Sequence, residues 1–295
     1  MNGIIIYKQD NCYKNQYFVK HIEEVFLSFS KQNKISLIYY EKIKDMQNVN
    51  MLKAYLEKEK IIFAINRTMD YNLSESLESL KIKVFNNSRV SKICNHKGKL
   101  AILTQEKQIA IPSTIVLNNF NLYKEKLINS KFPFVLKVAN GHGGNEVYLI
   151  KTQLQLHTVS EMINGKDIII QKYLGENISD IRFYIIGDKI VTAVERLPKP
   201  GEFKSNFSLG GIVKEFIWDK QLENFIIMIL KKLELKQDYI GIDIFKTEKN
   251  QIYLNEIEDN AGAKMAYKAT TKDLIALFAT NVYNQIKAQG ELNEH

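Results

Sequence analysis

The sequence predicts an α/β amino-terminal domain on a small parallel sheet, followed by an α+β region built from antiparallel sheets. Three observations carry this. Over roughly the first ninety residues, short apolar runs alternate with segments of helical periodicity, the βαβ pattern that yields a parallel sheet. After Pro112 the strands come instead as neighbouring pairs joined by tight turns, which is the antiparallel pattern. The chain has 295 residues and 45% hydrophobic content. That suffices for a sizeable core and exceeds the usual single-domain size, so two or three domains are expected.

The elements follow in order. Ile4 to Tyr7 reads as the first strand, and Phe18, Val19, Ile22, Val25 and Phe26 recur at helical spacing. ISLIYY (35–40) is the second strand and Met51 to Glu59 a helix. IIFAIN (61–66) is the third strand, SESLESL (74–80) a helix with an opening Ser or Asn as its cap, and KVFNN (83–87) the fourth strand. A helix is expected from Lys99 to Lys107, and Pro112 closes the link into a strand from Thr114 to Leu117. Then come strand pairs 134–139 with 146–150, 182–186 with 190–195, and 240–245 with 252–257, with Gly187-Asp188 and TEKN (247–250) as turns. There is no internal repeat and no low-complexity linker, and the chain has only four prolines. Domain borders therefore rest on the change of pattern.

Charge and cysteine usage narrow the function classes. The net charge is +8, from 41 Lys+Arg against 33 Asp+Glu, and both signs are interspersed. That favours solvated faces over a nucleic-acid stripe and leaves a small anionic ligand attractive. Cys12 and Cys94 are isolated, giving neither metal-ligand spacing nor a disulfide framework, so they read as reduced and intracellular. The apolar run in MNGIIIYKQD is too short for a signal peptide, and no stretch approaches a membrane span. A soluble cytoplasmic protein without nucleic-acid or membrane partners is expected.

In KFPFVLKVANGHGGNEVYLI (131–150), Gly141, Gly143 and Gly144 crowd a turn between two strands. A Walker loop would need Lys-Ser/Thr after the last glycine, where Asn145-Glu146 stands. A dinucleotide fingerprint would need glycine at 146 and a helix beyond it, where Glu146 opens a strand. A plain hairpin turn remains open on this stretch alone. Lys137 argues for more: alternation puts Phe134, Leu136 and Val138 on one face, and Val135, Lys137 and Ala139 on the other. An ammonium in mid-strand must reach solvent or find an anion, because burying it unpaired costs several kcal/mol. A phosphate under a glycine loop, approached closely by backbone N–H groups, is such an anion.

YIGIDIFKTEKNQIYLNEIEDNAG (239–262) carries the second constellation. Ile240, Ile242 and Ile244 share one face and leave Asp243 on the other, while Leu254, Glu256 and Glu258 share a face of the returning strand. The hairpin brings Asp243 opposite or diagonal to Glu256. Facing carboxylates call for a cation, and hard oxygens without His or Cys suit magnesium bound together with phosphates. A charged, solvated hairpin edge is the alternative.

Together these residues resemble the ATP-grasp superfamily, and within it the carboxylate–amine ligase branch that includes the ribosomal-protein glutamate ligases. The resemblance covers nearly the whole chain: the parallel amino-terminal domain, the helix at 97–107, PFVLKVANGHGG, IIIQKYL (168–174), DIRFYIIGDKIVTAVER (180–196), FKSNFSLGG (203–211), GIDIF and NEIED. It implies an amino-terminal domain at 1–95, a central lobe at 96–172 and a carboxy-terminal lobe with a metal site at 173–290, the two antiparallel lobes sandwiching ATP. It implies that Lys97 and Lys137 contact nucleotide phosphates. Lys99 competes for the first role, but the family's lysine-to-proline distance favours Lys97. The glycine segment Gly141, His142, Gly143 and Gly144 becomes a flap over ATP. Gln171, Lys172, Tyr173 and Leu174 become the hinge that reads adenine, and Asp180 is placed for the ribose. Lys204, Ser205 and Asn206 approach the phosphates and the reacting carboxylate. Asp243, Glu256 and Glu258 match ligands of Mg2+, with Mn2+ as an alternative. Glu258 stands where the family commonly has asparagine.

The activity implied is carboxylate activation by ATP to an acyl phosphate that an amine attacks, on amino-acid or peptide substrates, with a homo-oligomer compatible. Arg182 and Arg196, with Lys204 and Asn206, are the candidate groups at the reacting centre, and surface ion pairs are the alternative for the two arginines. Glu202, Asp259 or solvent takes the amine's proton, and Lys264 and Lys268 are candidates for attracting an anionic substrate. A kinase acting on a hydroxyl and a non-catalytic nucleotide-binding protein are the competing functions.

Overall fold

The computed structural model describes residues 1–46, 48–122, 127, 131–141, 143–144, 146–197 and 212–293. Its amino-terminal sheet is parallel throughout, formed by β1 (Asn2–Tyr7), β2 (Lys34–Tyr39), β3 (Phe63–Asn66) and β4 (Lys83–Phe85) in the order β2-β1-β3-β4. The unbroken apolar run of β1 is explained by cover on both faces. Ile4, Ile6, Ala64 and Val84 lie under the helices Val49–Lys58 and Tyr71–Ser79 through Leu52, Leu56, Leu73 and Leu77. On the other face Ile5, Phe63, Ile65 and Phe85 share a core with the helix Gln16–Phe29 and the carboxy-terminal helix Leu274–Asn293. Tyr184, Val194 and Tyr239 of the last sheet join that same core. The amino-terminal sheet is thereby held against the far end of the chain.

Local chemistry moves some boundaries. The helix Tyr71–Ser79 is capped by Asp70, which accepts from Asn72 N at 3.0 Å and Leu73 N at 3.3 Å, and not by a Ser or Asn of its own first turn. The fourth strand stops at Phe85, because the next two asparagines use their side chains elsewhere. Asn87 accepts from Val90 N at 3.0 Å and caps the helix Ser88–Cys94, which the sequence reading does not anticipate. Asn86 donates from Nδ2 to Tyr239 O (2.7 Å) and Asp259 O (3.0 Å), and its Oδ1 accepts from Asp238 N (2.6 Å) and Tyr239 N (2.8 Å). One buried amide thus ties β4 to the last sheet. The helix expected from Lys99 begins at Lys97, with His96 Nδ1 accepting from Lys99 N at 3.2 Å.

The remaining strands form two antiparallel sheets. β5 (Thr114–Leu117), β6 (Phe134–Val138), β7 (Val147–Ile150) and β8 (Ile168–Lys172) are ordered β5-β8-β6-β7, and Phe134, Leu136 and Val138 face the helix Gln153–Met162. The last sheet orders β9 (Ile178–Ile186), β10 (Lys189–Leu197), β11 (Ile212–Glu215), β12 (Tyr239–Thr247) and β13 (Ile252–Glu258) as β11-β10-β9-β12-β13. One of its faces, with Ile181, Phe183, Ile185, Ile240, Ile242 and Ile244, is buried by Leu222, Ile226, Ile229 and Leu233 of the helix Lys220–Leu233. The opposite face joins the amino-terminal core at Tyr184, Val194 and Tyr239 and carries charged side chains beside them. Among the described residues no helix is long and apolar enough to cross a membrane.

Asp238, at the entrance to β12, is buried and accepts from Gln285 Nε2 at 2.6 Å. Burial raises its carboxyl to about 6, with Gln285 and Lys83 opposing. A carboxyl whose folded pKa lies above its unfolded value favours folding while protonated, and that contribution is withdrawn as pH rises from about 4 through about 6. At pH 7 the charged form costs roughly 3 kcal/mol. Asp238→Asn should therefore raise the melting temperature at pH 7 by several degrees and leave it near wild type at pH 4. Equal shifts at both pH values in thermal melts would count against this account.

Candidate functional site

The polar face of the last sheet gathers charges by simple alternation. On β9, Asp180, Arg182 and Tyr184 point away from Ile181, Phe183 and Ile185. Register then aligns Arg196 of β10 with Asp180, Asp243 of β12 with Arg182, and Glu256 of β13 with Asp243. Asp243 is 2% exposed and is gripped by Arg182 in a fork, Nε to Oδ1 at 2.6 Å and Nη2 to Oδ2 at 2.7 Å. Arg196 Nη2 reaches the same Oδ2 at 2.7 Å and Asp180 Oδ1 at 2.5 Å. Arg182 Nη1 continues to Glu258 Oε2 at 2.7 Å. It crosses β12 at Gly241, where a methyl group would meet Ala261 Cβ at 3.2 Å and the Arg182 stem at 3.4 Å. The arginines are buried, so they are not surface ion pairs. Arg196 Nε is a buried donor without a partner among the described residues.

A bulge completes the arrangement. Ile244 pairs with Leu254 and Asp243 with Glu256, so Asn255 is the extra residue. Leu254 therefore turns to the apolar face with Ile257 and does not share the face of Glu256, which corrects strict alternation. The apolar spacing of three between Leu254 and Ile257 was the sequence signal for this bulge. Lys137 is 7% exposed and donates to Asn255 Oδ1 at 2.8 Å. Burial pulls its ammonium down to about 8, with Glu256 opposing and Lys97 adding to the pull. Lys97 bonds the carbonyl of Gly141 and pairs with Glu256 Oε1 at 2.9 Å. Lys99 points elsewhere, over the Tyr71 ring at 5.0 Å. Lys97 and Lys137 thus both meet the β12–β13 hairpin across the seam between two sheets.

The carboxylates respond to this setting. Burial opposes ionisation of Asp243, but Arg182 and Arg196 hold its carboxyl below the usual range. Glu258 is pushed up by desolvation and by Asp243 and Glu256, with Arg182 opposing. Asp259 is buried and raised by desolvation, and accepts from Asn86 Nδ2 at 2.9 Å and Asn95 Nδ2 at 3.0 Å.

Of the glycine segment, Gly141 reaches this seam through its carbonyl, which Lys97 bonds. Gly141 is buried where a Cβ would stand 3.0 Å from Glu146 Oε2, and Gly143 and Gly144 take φ of 67° and 76°. Gln171 is buried on β8 and donates to Thr114 Oγ1 at 3.0 Å, Lys172 is exposed, and Tyr173 OH is buried without a partner among the described residues. Leu174 follows directly. His142, Glu202, Lys204, Ser205 and Asn206 lie outside the described residues. Asp243, Glu256 and Glu258 are hard oxygen donors on one hairpin, which fits magnesium by donor type and pairing. Here each is engaged by an arginine or lysine, and no three metal-ligating side chains converge among the described residues.

Two antiparallel sheets with lysines and carboxylates meeting across their seam, behind a parallel amino-terminal domain, define an ATP-grasp protein. The chain belongs to the RimK-like ATP-grasp domain family, whose model matches residues 94–281. Among solved structures it is similar to a D-alanine–D-alanine ligase from Bacillus anthracis complexed with ATP (TM-score 0.68, 17% identity, 99% of each chain). It is also similar to a RimK domain ATP-grasp protein from Sphaerobacter thermophilus (TM-score 0.68, 12% identity, 96% of this chain and 100% of that one). Among curated proteins, an uncharacterised Mycoplasma genitalium protein, MG011, is 32% identical over 50% of each chain. Its Mycoplasma pneumoniae homolog is 24% identical over 90% of this chain and 86% of its own. A probable alpha-L-glutamate ligase from Cellvibrio japonicus is 28% identical over 63% of this chain and 62% of its own. The match thus spans about half of MG011 and less than two thirds of that ligase.

Removing Asp243 takes the shared counter-ion from two buried guanidinium groups, leaving Arg196 with Asp180 and Arg182 with Glu258. Asp243→Ala should destabilise the ligand-free protein by about 3–5 kcal/mol in urea denaturation, and a loss under about 1 kcal/mol would show that the network contributes little.

Proposed function

We propose that the chain is an ATP-dependent carboxylate–amine ligase acting on amino-acid or peptide substrates. The observation that carries this reading is the charge-matched cluster at the seam. Lys97, Lys137, Arg182 and Arg196 face Asp180, Asp243, Glu256 and Glu258, with Arg196 Nε left as a buried free donor among the described residues. Such a cluster accepts phosphate oxygens only if a cation arrives with them, because cations that turn to an anion leave carboxylates uncompensated. That is the chemistry of a magnesium nucleotide. The curated relative named a probable alpha-L-glutamate ligase supports an amino-acid substrate.

In this reading Lys97 and Lys137 bind the phosphates, and Gly141, His142, Gly143 and Gly144 cover them. Gln171 to Leu174 line the adenine, and Asp180 serves the ribose as well as Arg196. Asp243, Glu256 and Glu258 would hold magnesium, which supplies charge neutralisation when bound. The γ-phosphoryl group passes to a substrate carboxylate oxygen as the bond to ADP breaks, and Arg182, Arg196, Lys204 and Asn206 stabilise the charge that spreads over its oxygens. An amine then attacks the acyl carbon, the acyl–phosphate C–O bond breaks, phosphate leaves and the amine's proton passes to solvent. Lys137 orients the transferred group from a strand, so its position is fixed by both sheets.

Incubation with Mg-ATP, amino acids and hydroxylamine should release ADP and a hydroxamate. A stable phosphorylated alcohol without hydroxamate would point to a kinase and defeat the ligase reading. Lys137→Met should weaken ATP binding at least tenfold in calorimetry while the protein stays folded, and wild-type affinity would remove Lys137 from the phosphate site.

A further inference from the structure

A second cationic site lies beside the first, on the amino-terminal sheet. Arg67 follows β3 at the end where the parallel strands deliver their carboxyl termini, and its N–H bonds Ile6 O at 2.9 Å. Asn66 fixes that turn: its Oδ1 accepts from Thr68 N (3.0 Å) and Thr68 Oγ1 (2.7 Å), and its Nδ2 donates to Ser74 Oγ at 2.9 Å. The guanidinium stacks on Phe18 at 4.5 Å, donates from Nε to Tyr7 OH at 3.2 Å, and from Nη2 to Asn260 O at 3.3 Å. No carboxylate stands within ion-pair distance of Arg67 among the described residues. The nearest to act on it, Asp259, has its oxygens occupied by the amides of Asn86 and Asn95.

The groups around Arg67 are donors as well. Tyr7 accepts from Arg67, which leaves its own O–H to donate onward. Tyr239, 1% exposed and in electrostatic contact with Arg67, has a hydroxyl without a partner among the described residues, and so does the buried Nδ2 of Asn260. Asn260 stands two residues beyond Glu258, so this donor corner adjoins the carboxylate hairpin. A partly buried guanidinium ringed by unused donors and lacking a paired carboxylate is an anion site awaiting its anion.

We propose that Arg67, with Tyr7, Tyr239 and Asn260, binds a carboxylate of the substrate that takes no part in the reaction. The assignment rests on the ligase reading and narrows it: one of the two joined substrates is an amino acid or peptide bearing a free, unreacting carboxylate. Arg67 presents a planar fork suited to a carboxylate, which a lysine would meet only as a point charge.

The test follows ADP release from Mg-ATP by the full chain with pairs drawn from L-glutamate, L-aspartate, L-alanine and their carboxamide counterparts, alongside separate ATP-binding measurements. The wild type should need at least tenfold more of the amidated partner than of the free acid. Arg67→Met should bind ATP as the wild type does and lose that discrimination through a raised KM for the free acid, with Arg67→Lys in between. If Arg67→Met fails to fold, Tyr7→Phe gives the same readout, with a loss of about threefold. Unaltered discrimination in the folded variants, or none in the wild type, overturns the assignment of Arg67 alone. ATP binding without turnover of any pair, or no ATP binding at all, overturns the ligase reading and this assignment with it.

Discussion

Two guanidinium groups buried in the face of a β-sheet cannot stand without counter-ions, and much of the carboxy-terminal half is arranged to supply them. Arg182 and Arg196 share Asp243, Asp180 completes the pairing on one side and Glu258 on the other. An isolated charge in such a place would cost several kcal/mol, so the pairing fixes the register of four adjacent strands as firmly as the apolar face behind them. Gly241 belongs to the same requirement, since it leaves the path by which Arg182 reaches across β12.

The lysines extend this lattice between sheets. Lys137 comes from β6 and Lys97 from the start of a helix, and both end on the bulged strand β13. The bulge at Asn255 presents an amide and a carboxylate side by side to them, whereas a regular strand would turn one of the two into the apolar core. The seam is held by polar contacts that a phosphate and its metal can exchange for others, while the greasy cores on either side remain undisturbed. That combination suits a site that must open to admit a nucleotide and close around it.

The amino-terminal sheet is part of the same construction and not an appendage. Its core continues into the last sheet and the carboxy-terminal helix, and Asn86 satisfies four backbone groups at Asp238, Tyr239 and Asp259. This attachment sets Tyr7 and Arg67 against the loop leaving the carboxylate hairpin. The proposed carboxylate site on this sheet and the proposed reacting centre at the seam therefore adjoin through residues 258–262.

The sequence by itself determined the fold class, most of the strands and which residue types stand as candidates for the site. Parallel and antiparallel regions and the hairpins follow from alternation and turn chemistry, which are local, whereas alternation left Asp243 opposite or diagonal to Glu256 and the bulged register sets them opposite. The helices Ser88–Cys94, Lys220–Leu233 and Leu274–Asn293 escaped that reading, although Asn87 and Asp219 are ordinary caps for the first two. Tertiary structure alone decided which charges meet. Nothing local places Lys137 on Asn255, 118 residues away, or gives two carboxylates to Arg196 and, among the described residues, none to Arg67. Such pairings depend on register, on a bulge and on packing between distant segments, and a period-two pattern carries no information about what lies across a seam.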